Sequence, residues 1–199
     1  METTGLDPQR DEVISFAGVP IEAGRIVAAD TVAGLARPET DPGPESVEIH
    51  GLRTADLAAA PPAAEALVPL AARMAGRIPV AHAAWVERAF LAPHLRALGS
   101  SWPRRIVDTG VLWRLLCTER DEDDPGMRPL GDIAAALGVP AHRPHVAEGD
   151  ALTTAQVFLA LATHLEAHGR VTVRTLTGAD WQLRAWALWH PPALRVRSG

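Results

Sequence analysis

Two β-prone segments lie between Val13 and Ala36, and short apolar runs alternate with helical stretches through the rest. That order is the tightest constraint on the fold. Val13 to Ile21 is an apolar run rich in Val and Ile and reads as a strand. Glu22-Ala23-Gly24 reads as a turn and Arg25 to Ala36 as a second strand, completing a hairpin. Pro38 to Pro44 is a loop that ends at Ile49-His50-Gly51-Leu52. Thr54 or the Pro61-Pro62 pair then opens a helix to about Ala75. Ile78 to His82 is a brief buried strand, and Trp85 to Leu98 a helix stopped by Gly99. Ile106 to Asp108 is another strand, followed by a helix to about Leu116. Residues Leu130 to Leu137 are helical and closed by Gly138 and Pro140, and the charged stretch from Thr118 to Gly126 is solvated. Ala151 to His168 is the longest helix, with Val157, Leu161 and Leu165 on one face. Strands first, then strands alternating with helices, predict an α/β domain: a mixed sheet with helices packed on it.

A chain of 199 residues suits one domain with a full core. No apolar run approaches the roughly 20 residues that a membrane helix needs, and no basic-then-apolar leader opens the chain, so neither membrane nor secretion is expected. The single cysteine, Cys117, cannot form an internal disulfide, which fits a reducing cytoplasm. There is no lysine. A net charge of −5 argues against a protein that coats nucleic acid through phosphate contacts alone. It is compatible with a nuclease, because a carboxylate site is negative until divalent cations supply the positive field.

Three segments carry candidate chemistry: Glu2-Thr3-Thr4-Gly5, His82 to Leu91, and His145-Val-Ala-Glu-Gly-Asp150. Two divalent metals about 4 Å apart can hold the attacking and leaving oxygens of a phosphodiester. Such hard cations require carboxylate oxygen, and a water nucleophile requires a base that titrates near neutrality, a task that suits His. Each residue also has a plain structural reading. A His-x₄-Asp pair arises by chance. Asp150 fits a helix N-terminal turn, where the dipole favours a carboxylate, and Glu87 fits a helix surface.

In combination, Glu-Thr-Thr-Gly, the intact Asp150-Ala-x-x-Thr-Ala155 pattern and Val80-Ala-His82-Ala83-Ala-Trp85-Val86-Glu87-Arg-Ala-Phe90-Leu91 resemble the DnaQ-like DEDDh 3′–5′ exonucleases. The resemblance covers residues 1 to about 168. It implies a ribonuclease-H-like fold, a mixed five-stranded sheet flanked by helices, with the first strand largely missing here. Met1 stands where the middle residue of Asp-x-Glu belongs, so the family's Asp is absent together with the apolar residues of its strand. A start codon assigned a few residues late would remove both at once, and an in-frame apolar run ending in Asp plus one residue, just upstream, would settle it. Two further departures are Ala83 for Asn and Glu87 for Asp.

The resemblance implies two Mg²⁺ or Mn²⁺ ions, with Glu2 and Asp150 holding the catalytic metal and Glu87 contributing to the second. His145 would be the general base, and Thr3, Leu6 and His82 would contact the substrate. Asp108-Thr109 fits the family as a structural strand end. The implied partners are single-stranded 3′ ends and a DNA polymerase or another replication or repair protein. The implied reaction releases nucleoside monophosphates from DNA or RNA. The competing expectation is a catalytically impaired domain that binds nucleic acid or a protein, favoured by the missing Asp, Ala83 and Glu87.

Residues 169–199 form an extension expected to pack on the domain. There, Thr177-Gly-Ala-Asp180 reads as a capping-box variant, and Trp181, Trp186 and Trp189 are interleaved with Arg184, Arg195 and Arg197. Such a pattern serves as core or partner contact, or as a base-stacking platform. His94, His142, His164 and His168 lack ligand spacing and are expected at the surface.

Overall fold

A computed structural model describes residues 1–123, 126–170 and 172–178. The chain folds as β1 (Glu2–Thr3), β2 (Val13–Gly18), β3 (Ile21–Glu22), β4 (Arg25–Ile26), β5 (Val32–Leu35), α1 (Pro44–His50), α2 (Thr54–Leu57), α3 (Ala63–Ala66), α4 (Val68–Met74), β6 (Val80–Ala81), α5 (Ala84–Ala97), β7 (Val107–Asp108), α6 (Thr109–Glu119), α7 (Leu130–Ala136), α8 (Ala147–Glu166) and α9 (Val173–Thr177). The expected mixed α/β class is present. Its five sheet strands lie in two pieces: an antiparallel β1-β2-β5 sheet and a parallel β6-β7 pair, with β3-β4 a separate hairpin. The first strand is short, as expected, with only two residues.

Several boundaries differ from the sequence reading. The single strand expected over Arg25 to Ala36 is two, β4 and β5, separated by a 3₁₀ turn at Ala28–Asp30 that Thr31 closes by donating its hydroxyl to the Ala28 carbonyl. The β3-β4 loop is Ala23-Gly24, with φ of 46° and 74°, the left-handed pair of a tight hairpin. The helix expected up to Ala75 is three short ones, because Pro61, Pro62 and Pro69 lack the N–H that would continue a ladder. Helix α1 falls partly in the segment read as loop. Its signals were in the sequence: Pro44 at the first helical position and Gly51 past the end in the left-handed region. The long helix begins four residues earlier than expected, at Ala147.

Two apolar clusters hold these elements. Val13 and Phe16 of β2 pack with Leu67, Leu70, Phe90 and Leu91, and Met1 lies against this group. Leu112, Leu116, Ile133, Val157, Leu161 and Leu165 form the second, with Leu176 of α9 against it. Helix α8 joins the two, touching β2, β6, α6 and α7. Val157, Leu161 and Leu165, the face chosen from helical spacing, are fully buried. None of the described helices is long and apolar enough to cross a membrane. Within the 169–199 extension, α9 is described. The tryptophans from Trp181 onward and the second half of the expected capping box, Ala179 and Asp180, lie outside the described residues.

Candidate functional site

Glu2 is carried by β1, pairs with Ser15 of β2 across a bulged register, and precedes a tightly organised turn. In that turn Thr4 is buried, donates its hydroxyl to Asp11 and accepts from the Glu12 N–H. Asp11 also accepts from the Asp7 N–H, and a Cβ on Gly5 would lie 2.5 Å from the Asp11 carboxylate. Only glycine lets the loop close on that side chain. Thr3 donates to the Gly5 carbonyl, and Leu6 is 77% exposed at the loop tip.

Asp108 ties the next group together. Its carboxylate caps α6 by accepting from the Gly110 and Val111 N–H groups and reaches across to accept from the Ala84 N–H at 2.7 Å. It thereby anchors the start of α5, which carries Glu87. Between strand and helix, Ala83 has φ 57°, a left-handed conformation that Asn tolerates better than Ala. That gives a backbone reason for the Asn that the exonuclease pattern carries at this position. His82 lies half-buried beside it with Nδ1 3.0 Å from the Thr109 hydroxyl, and burial pushes its imidazole toward the neutral form.

The third group sits at the head of α8. His145 is exposed, has φ 61°, and donates its backbone N–H to the Asp150 carboxylate at 3.1 Å. Its loop is locked to the helix. The His142 N–H donates to the Thr153 hydroxyl and the His142 ring meets Gln156 at 2.9 Å. Gly149 is buried directly under the His142 carbonyl. His142 and His94 are therefore half-buried, not surface residues as expected from their spacing.

These segments meet. A cavity of about 930 Å³ is lined by Met1, His82, Glu87, His145 and Asp150, and an adjoining hollow of about 280 Å³ by Glu2, His50 and His145. Burial raises the carboxyls of Glu2, Glu87 and Asp150 above the ordinary range. At each the next influence is the Met1 ammonium, which opposes the rise. Glu2 interacts unfavourably with both Asp150 and Glu87. His50 was not singled out as a site residue. Burial pushes its ring toward neutrality, and Nδ1 accepts from the Leu52 N–H. Its only signal in the sequence was a position at the end of a short glycine-capped helix.

The donor chemistry suits a hard divalent cation: Glu87 Oε2 is buried without a hydrogen-bond partner, beside two further carboxylates. The number falls short, since among the described residues no three acidic, His or Cys groups close on one point as a metal site. A raised pKa means that the folded chain binds a proton more readily than the unfolded chain, so stability falls as pH rises through the window from the unfolded to the folded value. Glu87→Gln is therefore expected to raise the melting temperature at pH 7 by about 2–8 °C, the scale of relieving one buried unsatisfied charge in a chain of this size. The gain should shrink as pH falls toward 4, where Glu87 is itself protonated. Calorimetry at both pH values checks this, and a lower melting temperature at pH 7 would show that Glu87 is well paired.

Comparison with known proteins gives the family. The RNase T exonuclease profile matches residues 1–158. The DNA polymerase III PolC-type protein of Thermotoga maritima is 35% identical over 159 residues, covering 79% of this chain and 11% of that protein. A DNA polymerase III subunit epsilon-like protein of Rhodobacter capsulatus is 32% identical over 174 residues, covering 86% of this chain and 24% of that protein. This chain thus spans only a fraction of either relative's length. Exonuclease X in complex with 5′ overhanging duplex DNA shares the fold at a TM-score of 0.66 and 22% identity, covering 89% of this chain and 95% of that one. The nuclease domain of 3′hExo, a DEDDh family member bound to rAMP, shares it at 0.62 and 16%, covering 77% and 82%. The match across residues 1–158, on a ribonuclease-H-like fold that gathers Glu2, Glu87, His145 and Asp150, means that this chain belongs to the RNase T family of DnaQ-like exonucleases.

Proposed function

We propose that this domain is a metal-dependent 3′–5′ exonuclease that removes nucleoside monophosphates from single-stranded 3′ ends. The observation that carries this reading is the meeting of Glu2, Glu87 and Asp150, which lie far apart in sequence, beside His145. Glu2 and Asp150 would hold one cation and Glu87 would contribute to a second. Bound there, the cations supply charge stabilisation and lower the pKa of water. His145 accepts the proton of the attacking water; its exposed ring at the cavity rim can reach both solvent and substrate. Asp150 has a second task, holding the His145 backbone in place. Thr3, Leu6 and His82 would meet the terminal nucleotide: Leu6 offers an exposed apolar surface for a base, and His82 lines the cavity. The polymerase names of the relatives suggest a polymerase or another replication or repair protein as partner.

With no three-donor cage among the described residues, the chain as it stands is expected to be a slow enzyme. A 5′-labelled single strand incubated with Mg²⁺ or Mn²⁺ should shorten progressively from its 3′ end, and a chelator should stop it. Internal cleavage, or shortening indifferent to the chelator, would contradict the proposal. So would inert behaviour on DNA and RNA strands by both this chain and one extended to restore the family's Asp. That last result would instead favour a domain that only binds.

A further inference from the structure

We propose that the outward face of α5, from Trp85 to Arg96, carries the nucleic-acid strand 5′ of its terminal nucleotide. The Trp85 indole would stack on a base, and Arg88 and Arg96 would meet phosphates. The identity of the strand rests on the exonuclease reading. Trp85 is the observation that carries the proposal. It is 60% exposed, whereas Trp102 and Trp113 pack on the two apolar clusters. A tryptophan left in water forgoes the burial of a large apolar ring, so a bare one beside a binding cleft points to a ligand that covers it.

Helix geometry supplies the cations. Steps of three and four residues place Arg88 and Arg96 on the face of Trp85, while Ala84, Phe90, Leu91 and Leu95 of the same helix turn to the core. Both arginines are exposed, and neither has an ion-pair or hydrogen-bond partner among the described residues. By contrast, Arg10, Arg53, Arg73, Arg77, Arg143 and Arg170 each meet a carboxylate. Unpaired cations on one face of a chain of net charge −5 complement a polyanion. From Trp85 to Arg96 the face is about 16 Å long, enough for more than one phosphate. It begins at the site. Trp85 follows Ala84, whose N–H the Asp108 carboxylate holds at 2.7 Å, and stands between His82 and Glu87, which both line the cavity. The Arg128 backbone rests against the His82 ring, and its exposed side chain also lacks a partner among the described residues. A strand whose 3′ end enters past His82 would therefore leave over Trp85. Stacking tolerates every base, so this face sets affinity and not sequence.

The test measures binding of a 5′-labelled oligothymidylate of about eight nucleotides by fluorescence anisotropy, with Ca²⁺ as the hard divalent cation. Trp85→Ala should weaken binding about tenfold or more, and Trp85→Phe should recover most of the loss. Trp85→Leu should not, since it is apolar but has no ring to stack. Replacing both Arg88 and Arg96 with Gln should flatten the dependence of log affinity on log salt by about 1.4, at about 0.7 for each lost phosphate contact. Thymidine monophosphate has no nucleotide beyond the terminal one, and calorimetry should find it bound alike by all variants. Melting temperatures should stay within about 2 °C, because the substituted residues are exposed. Strand affinity unchanged in Trp85→Ala overturns the proposal and leaves the ring as an apolar contact for a protein. Equal weakening of thymidine monophosphate also overturns it, since the defect would then lie in the terminal site, as does rescue by Leu equal to that by Phe. Hydrolysis with Mg²⁺ or Mn²⁺ is scored separately. Trp85-dependent binding without hydrolysis, in this chain and in one extended to restore the family's Asp, keeps the strand face and removes the nuclease reading. Hydrolysis with unaltered strand binding in every variant does the reverse.

Discussion

Replacing His145 with alanine, in a chain extended to carry the Asp two residues ahead of Glu2, is expected to lower turnover by about 10²–10⁴-fold, the range for a positioned acid–base group. Metal affinity should change far less, because the ring is assigned to water and not to the cation. The backbone complicates the substitution. His145 has φ 61° and donates its N–H to Asp150, so alanine there is strained as well as chemically inert. His145→Asn separates the two effects, since Asn tolerates the left-handed region but cannot serve as a base near neutrality. Equal losses in both variants mean that the imidazole is what matters. Activity retained by Asn means that the conformation is. Calorimetry showing lost metal affinity, with turnover intact at saturating metal, would make His145 a ligand and not the base.

Gly149→Ala is expected to lower the melting temperature by about 6–12 °C, from an overpacking cost of about 3 kcal/mol. It should lower turnover as well. A Cβ there would overlap the His142 carbonyl oxygen and stand 2.7 Å from the Arg143 carbonyl oxygen, both backbone atoms that no rotamer change can move aside. Relief requires the 142–145 loop to lift off α8. That breaks the His142 N–H bond to Thr153 and shifts His145 away from Asp150. Thr153→Val, which removes the hydroxyl without crowding the loop, should reproduce part of the turnover loss at a smaller stability cost. Wild-type melting and turnover in Gly149→Ala would mean that the loop seats loosely.

The sequence by itself determined what depends on neighbours along the chain. Helical spacing was enough to select Val157, Leu161 and Leu165, because burial of a helix face follows its own periodicity. The Glu-Thr-Thr-Gly and His-x₄-Asp segments, and the shortness of the first strand, were legible through their resemblance to the DnaQ-like exonucleases. The helix expected from Thr54 or the Pro61-Pro62 pair up to Ala75 is broken into shorter ones, because prolines read as helix openers also remove ladder donors. Tertiary structure alone decided the rest. Asp108 could be read as a strand end, but not as the acceptor that anchors α5 from 24 residues away. Gly149 looks like a weak helix residue until the His142 carbonyl is seen beneath it. Glu2, Glu87 and Asp150 are desolvated, with Glu2 repelled by each of the other two, only where β1, α5 and α8 converge. Burial and through-space charge depend on that convergence and on no local pattern, which is why the residues could be named from the sequence and their shared environment could not.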